Sequence, residues 1–295
     1  NDNAIIATNT SSISINKLAS ELKNKENFIG VHFFNPVNLM PLVEVIPSQH
    51  TSKETIDKVL ELLISCGKTP IVVGDCAGFI VNRILLPYLN EAAFILSEGS
   101  KIEHIDHLIK EFGMPMGPFK LADTVGIDVG YKVATILYEE YGYRMPVAPI
   151  IEKMYDAKYL GKKSESGGFY QYDGKDDYVN EHVISMLPNN GKIFEDNEIV
   201  QRCLYIMINE ASRCLEENIV TDASIIDFAM ITGTGFPAYK GGLLTYANEV
   251  GLKNILESLR KFEKDYGNRF APSNLLIKLV KEDEDFETGE FLWKR

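Results

Sequence analysis

The sequence predicts an α/β layer followed by a duplicated helical region. Strand-like and helix-like apolar patterns alternate over residues 4–74, which gives four strands and two helices in about 70 residues. After residue 75 the strand patterns largely stop and long helix patterns follow. Parts of this helical region recur later in the chain, and such a recurrence indicates two related helical units.

The α/β layer is predicted from short apolar runs that alternate with helix signals. The predicted elements are strands at 4–8, 28–34, 42–46 and 69–73, and helices at 14–22 and 51–66. The first run is apolar from Ala4 to Ala7 and is typical of a buried strand. Thr51 and Glu54 have capping-box spacing at the start of the second helix, and Gly67 is suited to end it.

The helical region opens with a long apolar helix pattern at 77–97, which Gly99 ends. Pro87 lies inside this pattern, so we expect a kink or a late helix start there. Residues 162–177 are polar, with glycines and aromatic residues, and we interpret them as an ordered loop, whereas 188–196 has the composition of a linker. Further helix patterns cover 102–112, 130–141 and 149–157.

An internal repeat appears as short matches in constant order. The matches are Val81-Asn82-Arg83 with Val200-Gln201-Arg202, Asn90-Glu91-Ala92 with Asn209-Glu210-Ala211, Val125-Gly126 with Val250-Gly251, and Tyr141-Gly142 with Tyr266-Gly267. The first two pairs are 119 residues apart and the last two are 125 apart, so we expect a six-residue insertion around Thr232–Gly241. Two such units would bury their apolar faces against each other.

The composition is that of an acidic globular protein. The 295 residues are 45% hydrophobic and 24% charged, with a net charge of −12. This charge repels phosphate backbones and anionic bilayers, so neither a nucleic acid nor a membrane surface is expected as a partner. No apolar run reaches the roughly 20 residues of a membrane span. The four cysteines include no Cys-x-x-Cys pair, which favours free thiols in a reducing compartment.

His32 and Glu44 form the sharpest chemical pattern in the chain. His32 ends one apolar strand, and Glu44 lies in the next, between Val43 and Val45. A buried carboxylate needs a partner, and the chain between the two groups is long enough to pair the strands. Such a pair would fix the imidazole tautomer and stabilise the imidazolium, as a general base requires. The alternative is a structural histidine beside an unrelated strand glutamate.

Polar side chains follow the first strand and begin the first long helix. Asn9-Thr10-Ser11-Ser12 lies between a strand and a helix, where open α/β sheets bind ligands, although Ser11, Ser12 or Ser14 could instead cap the helix. Asn82 starts a very apolar helix, so its partners are either packing contacts or a substrate carbonyl.

Two other polar patterns favour solvated surfaces. His104 and His107 are three residues apart on a helix, where a solvated face is favoured over chelation, so no metal is expected. The acidic run 281–287 is interpreted as a solvated tail.

Taken together, these residues resemble the 3-hydroxyacyl-CoA dehydrogenase family. The segments that carry the resemblance are Asn9-Thr10-Ser11-Ser12, His32-Phe33-Phe34-Asn35-Pro36, Leu42-Val43-Glu44-Val45-Ile46, Gly78-Phe79-Ile80-Val81-Asn82-Arg83 and Pro115-Met116-Gly117-Pro118-Phe119. The second helical unit, with Asn209-Glu210-Ala211 and residues 235–242, is similar to the duplicated helical domain of the multifunctional fatty-acid oxidation α-subunits. The resemblance covers essentially the whole chain.

The resemblance implies a fold and a reaction. Residues 1–75 would be the C-terminal half of a Rossmann-type NAD-binding domain, and 76–187 and 188–295 would be two helical dehydrogenase repeats. The implied reaction is the NAD-dependent oxidation of (S)-3-hydroxyacyl-CoA to 3-oxoacyl-CoA in fatty-acid β-oxidation, with the hydride passing from C3 to NAD.

The resemblance also implies roles for single residues. His32 would be the general base that takes the proton of the C3 hydroxyl, with Glu44 orienting and supporting it. Ser11 and Asn82 would hold the hydroxyl and thioester region of the substrate. Cofactor contacts near the nicotinamide would come from Asn9, Ser11 and Asn35.

The chain departs from the family at its start. It lacks the family's glycine-rich phosphate loop and ribose-binding acidic residue, which would lie before Asn1. It begins with Asn1-Asp2-Asn3, which is neither a signal nor a transit peptide, and it enters a strand pattern at Ala4, so we expect a chain cut from a longer one. The longer protein would carry an upstream enoyl-CoA hydratase domain and pair with a thiolase β-subunit.

The sequence also bears on localisation and leaves two competing functions open. Residues 291–295 are not a peroxisomal Ser-Lys-Leu signal, which together with reduced cysteines favours a bacterial cytoplasm. One competing interpretation is a catalytically silent fragment whose helical repeats serve as an assembly module. Another is an enzyme for short hydroxyacyl-CoA or small hydroxy acids, although the duplicated helical half argues against it.

Overall fold

A four-stranded mixed sheet forms the first part of the chain. In the computed structural model, which describes residues 4–287, the strand order is β1-β2-β3-β4. The elements of this layer are β1 (Ile6–Thr8), α1 (Ile15–Ser20), β2 (Phe28–Phe33), β3 (Leu42–Pro47), α2 (Lys53–Ser65) and β4 (Thr69–Val72). β1–β2 and β3–β4 are parallel pairs, whereas β2 and β3 run antiparallel. The predicted four strands and two helices are confirmed.

The two faces of β2 and β3 are covered by different helices. Ile29 and Val31 pack with Val59 and Leu63 of α2 in one core cluster. On the opposite face Gly30 meets α1 so closely that a Cβ there would lie 2.8 Å from a methyl group of Ile15. Because side chains alternate along a strand, His32 lies on the same face as Gly30.

Two local predictions for this layer are wrong. The strand at 4–8 is not buried, since Ile6 is 51% exposed and β1 lies at one end of the strand order, with β2 as its only partner among residues 4–287. An apolar run does not reveal how many neighbours cover a strand. Helix α2 is capped by Ser52, which accepts the Thr55 N–H, because the Thr51 hydroxyl donates to the Phe28 carbonyl instead.

The rest of the chain is mainly helical. Its helices are α3 (Val81–Glu98), α4 (Ile102–Phe112), α5 (Pro118–Val125), α6 (Ile127–Tyr141), α7 (Pro149–Asp156), α8 (Glu181–Ser185), α9 (Asp196–Glu216), α10 (Ala223–Thr234), α11 (Leu243–Val250), α12 (Leu252–Tyr266) and α13 (Asn274–Glu282). α3 begins at Val81 and continues through Pro87, so the helix does not start late at the proline. The acidic run is exposed at 281–283 and 287, as predicted for a solvated segment, but it is not simply a tail: Glu282 ends α13, and Phe286 is buried.

Residues 162–177, predicted as a loop, contain part of a β-hairpin. β5 (Tyr170–Asp173) and β6 (Asp176–Val179) pair antiparallel around Gly174, whose φ is +63°. This left-handed turn conformation favours glycine. The loop interpretation is therefore wrong for 170–177, whereas 162–169 contains no helix or strand. The contacts that order the hairpin come from residues far away in the sequence.

Two buried carboxylates anchor the hairpin. The hydroxyls of Tyr170 and Tyr172 donate to Asp106 and Asp123, each at 2.9 Å. Burial raises the pKa of each of these aspartates to about 6, against the hydrogen bonds and the Lys120 charge that lower it. Burial also raises the pKa of both tyrosines far above the usual range, so their hydroxyls remain donors.

Matching contacts inside the two helical repeats confirm the duplication. Asp106 accepts the N–H of Phe119 at the start of α5, and Asp227 accepts the N–H of Leu244 at the start of α11. A Cβ on Gly117 or on its counterpart Gly242 would lie 2.2–2.3 Å from the matching aspartate. Asp106 and Asp227 are 121 residues apart, which is two more than the 119-residue offset of the earlier matches. Two of the six inserted residues therefore lie before Asp227, and the other four lie between Asp227 and Gly242, near the expected position at 232–241.

The chain forms two compact units, each with parts of both repeats. One unit comprises residues 4–83, 210–256 and 273–287, and the other comprises 84–209 and 257–272. Among residues 4–287 no helix combines the length and apolar character that a membrane crossing requires. The expectations drawn from Asn1-Asp2-Asn3 and from residues 291–295 concern positions outside the described part of the chain.

The raised carboxylate pKa values give stability a defined pH dependence. The folded state holds the Asp123 proton up to about pH 6, whereas the ordinary value is 3.8, so this group's contribution to the free energy of unfolding falls as the pH rises from about 4 to above 6. Asp123→Asn, which copies Asn248 at the matching position of the second repeat, removes this titration. The wild type should lose about 2–3 kcal/mol relative to the variant across that range.

Urea unfolding at a series of pH values measures this difference. The control is Asp176→Asn, an exposed carboxylate of the same hairpin. A constant stability difference between the wild type and Asp123→Asn from pH 4 to 7 would show that Asp123 does not titrate as described.

Candidate active site

His32 and Glu44 face each other across the two central strands. They are direct partners in the antiparallel register of β2 and β3. His32 Nδ1 lies 2.7 Å from Glu44 Oε2, and the two side chains are 6% and 0% exposed. The predicted pairing is confirmed, because the strand register leaves the buried carboxylate opposite the imidazole.

The second carboxylate oxygen of Glu44 is held by the start of α3. Oε1 accepts the backbone N–H groups of Ile80 and Val81, both at 3.0 Å. The first N–H groups of a helix have no partner within the helix, and the helix dipole favours an anion there. Glu44 therefore accepts charge-assisted hydrogen bonds at both oxygens.

This network assigns the tautomer of His32. An ionised carboxylate can only accept, so Nδ1 carries the proton that points to Glu44. Nε2 then has the lone pair, and it makes no hydrogen bond to the part of the chain that the structure describes. A group placed at Nε2 would meet a base that is already oriented by a buried anion.

Two aromatic rings pack against the imidazole. The ring of Phe34 lies 4.8 Å away in an edge arrangement, and the ring of Phe79 lies 5.6 Å away. Phe79 is fully buried and has a φ of +49°, which is uncommon for a bulky residue. This turn places Phe79 against His32 and directs the next two N–H groups at Glu44.

Ser11 and Asn82 lie beside each other near this pair. Asn82 Nδ2 is 3.5 Å from the Ser11 carbonyl oxygen, the long limit of a hydrogen bond. Asn82 directly follows the N–H groups that hold Glu44. The helix-cap interpretation applies to Ser14, which accepts the Lys17 N–H at the start of α1, and not to Ser11.

Asn9 and Asn35 follow the parallel strands β1 and β2, so both lie at the same edge of the sheet. The Asn9 side-chain oxygen accepts the Phe33 N–H at 3.1 Å. Asn35 is exposed. The sequence-predicted site residues thus lie at the carboxyl ends of β1 and β2, near the beginning of β3 and at the start of α3.

The side chains of the other two predicted histidines contact carboxylates. His104 lies 2.8 Å from Asp196, and His107 lies 3.3 Å from Glu111. Within residues 4–287 no three His, Cys, Asp or Glu side chains gather as a metal ligand set.

The residue pattern did not reveal two parts of this site. The Ile80 and Val81 donors are backbone groups, which residue types do not report. The buried Arg83 next to Asn82 was also missed, although the 119-residue match between Arg83 and Arg202 was a signal for it.

Family models match nearly the whole chain. The NAD binding domain of 3-hydroxyacyl-CoA dehydrogenase matches residues 1–76, and the C-terminal domain of 3-hydroxyacyl-CoA dehydrogenase matches residues 78–172 and 199–288. The chain is 43% identical over 283 residues to the fatty acid oxidation complex subunit alpha of Vibrio campbellii, covering 96% of this chain and 40% of that protein. The subunit of Shewanella amazonensis is 43% identical over 291 residues. The chain spans about two fifths of the length of these curated relatives.

Solved structures share the fold. The 3-hydroxybutyryl-CoA dehydrogenase of Escherichia coli K12 superposes with a TM-score of 0.80 at 25% identity, over 96% of this chain and 77% of that chain. The dehydrogenase part of multifunctional enzyme 1 from C. elegans has a TM-score of 0.63 at 32% identity, over 93% of this chain and 64% of that chain.

The assigned tautomer can be tested with Glu44→Gln. The glutamine oxygen would still accept from Ile80 and Val81, so its NH2 group would face His32 Nδ1 and donate to it. The imidazole proton should therefore move from Nδ1 to Nε2 in the neutral ring. ¹⁵N NMR of the histidine ring distinguishes the two tautomers, with exposed His50 as the internal reference. Finding the same tautomer in the wild type and the variant would contradict the assignment.

Proposed function

The chain belongs to the 3-hydroxyacyl-CoA dehydrogenase family, and we propose that it carries the base and substrate-binding residues of a 3-hydroxyacyl-CoA dehydrogenase. The reaction is the oxidation of (S)-3-hydroxyacyl-CoA to 3-oxoacyl-CoA in fatty-acid β-oxidation. One observation carries the proposal: a buried imidazole whose Nδ1 is held by a carboxylate that is itself held by two helix N–H groups.

His32 acts as the general base in this proposal. Its Nε2 accepts the proton of the C3 hydroxyl, and the resulting imidazolium is stabilised by Glu44 at 2.7 Å. The carboxylate is already fixed by Ile80 and Val81, so little reorganisation is needed when the positive charge develops. In the reverse direction the imidazolium returns the proton to the oxygen at C3.

Ser11 and Asn82 hold the substrate in this proposal. The Asn82 amide is a donor suited to a thioester carbonyl or a hydroxyl oxygen. Within residues 4–287 its only side-chain hydrogen bond, to the Ser11 carbonyl, is long. Asn82 directly follows the N–H groups that hold Glu44, and Ser11, which follows β1, contacts Asn82, so we infer that one small ligand can contact both residues and His32.

Asn9, Ser11 and Asn35 suit the nicotinamide end of NAD. They are amide and hydroxyl side chains at strand carboxyl ends, where α/β sheets bind nucleotides, and these groups can pair with a carboxamide and ribose hydroxyls. They carry no positive charge, and the sequence has no Gly-x-Gly-x-x-Gly loop for the pyrophosphate. Bound NAD supplies the acceptor for the C3 hydride.

The wider context is also a proposal. We propose that residues 1–75, 76–187 and 188–295 are the nucleotide-domain half and the two helical repeats. We further propose that the full-length protein has an enoyl-CoA hydratase region, pairs with a thiolase β-subunit and works in a bacterial cytoplasm. The name of the bacterial relatives, fatty acid oxidation complex subunit alpha, supports membership of a complex. A silent assembly module would leave the preoriented His32–Glu44 pair unexplained.

Replacement of the base is the direct test. In the full-length protein, His32→Ala should lower acetoacetyl-CoA-dependent oxidation of NADH by about 10²- to 10⁴-fold, because it removes the group that exchanges the proton with the oxygen at C3. The absorbance of NADH measures the rate, and circular dichroism checks the fold. His50→Ala, at an exposed histidine, is the matched control and should keep the wild-type rate. A full-rate His32→Ala enzyme would refute the proposed role.

A further inference from the structure

An arginine next to the site is held by glutamates of the second repeat. Arg83 follows Asn82 on α3 and is fully buried. Its Nε lies 2.8 Å from Glu210 Oε1, and its Nη2 lies 2.7 Å from Glu217 Oε2. Glu210 lies on α9, and Glu217 directly follows that helix. The two-armed contact fixes the direction of the guanidinium as well as its position.

A second contact holds the beginning of the segment that leads to Arg83, residues 74–83. The Gly74 N–H donates to the Ile219 carbonyl at 2.7 Å, and a Cβ on Gly74 would lie 3.1 Å from the Ile219 Cα. Residues 74–83 are therefore attached at both ends to residues 210–219. The residues that serve the active site, Phe79 to Asn82, lie between these two attachments.

The energetic cost of burying Arg83 and Glu210 indicates that this ion pair positions the start of α3 rather than stabilising the fold. A buried ion pair often contributes little net stability compared with apolar side chains of the same volume. A rigid fork between two carboxylates does, however, restrict where the first turn of α3 can lie. That turn supplies the Ile80 and Val81 N–H groups, whose distances to Glu44 Oε1 are both 3.0 Å.

The other compact unit repeats the ion network without the active-site contact. Arg202 contacts Glu91 at 2.8 Å and Glu98 at 2.7 Å, and all three positions are 119 residues from their counterparts. There the N–H of Ile199, the counterpart of Ile80, donates to the Glu195 carbonyl at the start of its own helix. Arg269 also binds Glu91, with its Nε 2.6 Å from Oε2. The chain therefore contains a related arginine–glutamate network that positions no active-site carboxylate, which provides a comparison for the Arg83 network.

We propose that Glu210, acting through Arg83, is a positioning residue for the active site. It fixes the start of α3 so that Ile80 and Val81 meet Glu44 and so that Asn82 meets the substrate. The second repeat thereby contributes to a site whose other residues belong to the first half of the chain. The catalytic consequence rests on the proposed function above.

The test compares matched glutamates in the full-length protein. Glu210→Gln and its counterpart Glu91→Gln are each made alone and combined with Glu44→Gln. Glu210→Gln should lower kcat for acetoacetyl-CoA by about 10- to 100-fold, the effect of a displacement of about 1 Å, whereas Glu91→Gln should keep the wild-type kcat. In the Glu44→Gln background Glu210→Gln should cause a smaller further loss than in the wild type, because the contribution that passes through Glu44 and His32 is already impaired and only the positioning of Asn82 remains.

A spectroscopic readout separates positioning from general damage. Glu210→Gln should accelerate hydrogen exchange of the Ile80 and Val81 amides and reduce the fraction of His32 in the Nδ1–H tautomer, and Glu91→Gln should change neither. If Glu210→Gln does not fold, Glu217→Gln removes the second arm, whose carboxylate is 37% exposed, and should shift both signals in the same direction by less.

The outcomes are distinct. Equal losses of kcat in Glu210→Gln and Glu91→Gln, or fully additive losses with Glu44→Gln, would overturn the positioning role. A wild-type protein without acetoacetyl-CoA-dependent oxidation of NADH would overturn the proposed function alone. In that case the amide-exchange and tautomer signals still decide whether Glu210 positions the start of α3.

Discussion

Burial of the Glu44 carboxylate is the constraint on which the site depends. A fully buried carboxylate is costly unless donors surround it, and this one is satisfied by His32 and by the N–H groups of Ile80 and Val81. The donors come from β2 and from the start of α3. One charge therefore requires both the strand register and the position of a helix, and an error in either would leave it without a partner.

The buried Glu44 carboxylate also explains why the His32 imidazole is already oriented in the absence of a ligand. The imidazole is oriented by Glu44 on one side and packed against Phe34 and Phe79 around its ring. Rotation of the ring would break a buried hydrogen bond to an anion, which is among the stronger interactions in a protein. The proton acceptor is thus fixed by contacts within residues 32–81, while the Arg83 network extends that support to α9.

The duplicated helical region shows which contacts survive the divergence of two copies. Both repeats start a helix on a buried aspartate, Asp106 or Asp227, and both bury an arginine between two glutamates. They differ at Asp123, whose counterpart is Asn248. Asp123 accepts the N–H of Phe169, and Asn248 accepts the N–H of Phe286. Among the described residues Asp123 alone of the two also accepts from a hairpin tyrosine, Tyr172. Contacts that set helix starts are kept, whereas contacts to the segments that follow have changed.

From the sequence alone, the four strands of the main sheet, six of the thirteen α-helices described in residues 4–287, the duplication and the His32–Glu44 pairing could be predicted. Apolar periodicity reports which residues leave water, and a carboxylate within an apolar strand has few possible partners. The β5–β6 hairpin, the N–H groups that hold Glu44 and the partners of Arg83 emerged only from the three-dimensional structure. These features depend on backbone donors, which residue types do not encode, and on side chains more than 40 residues apart, which no local pattern connects.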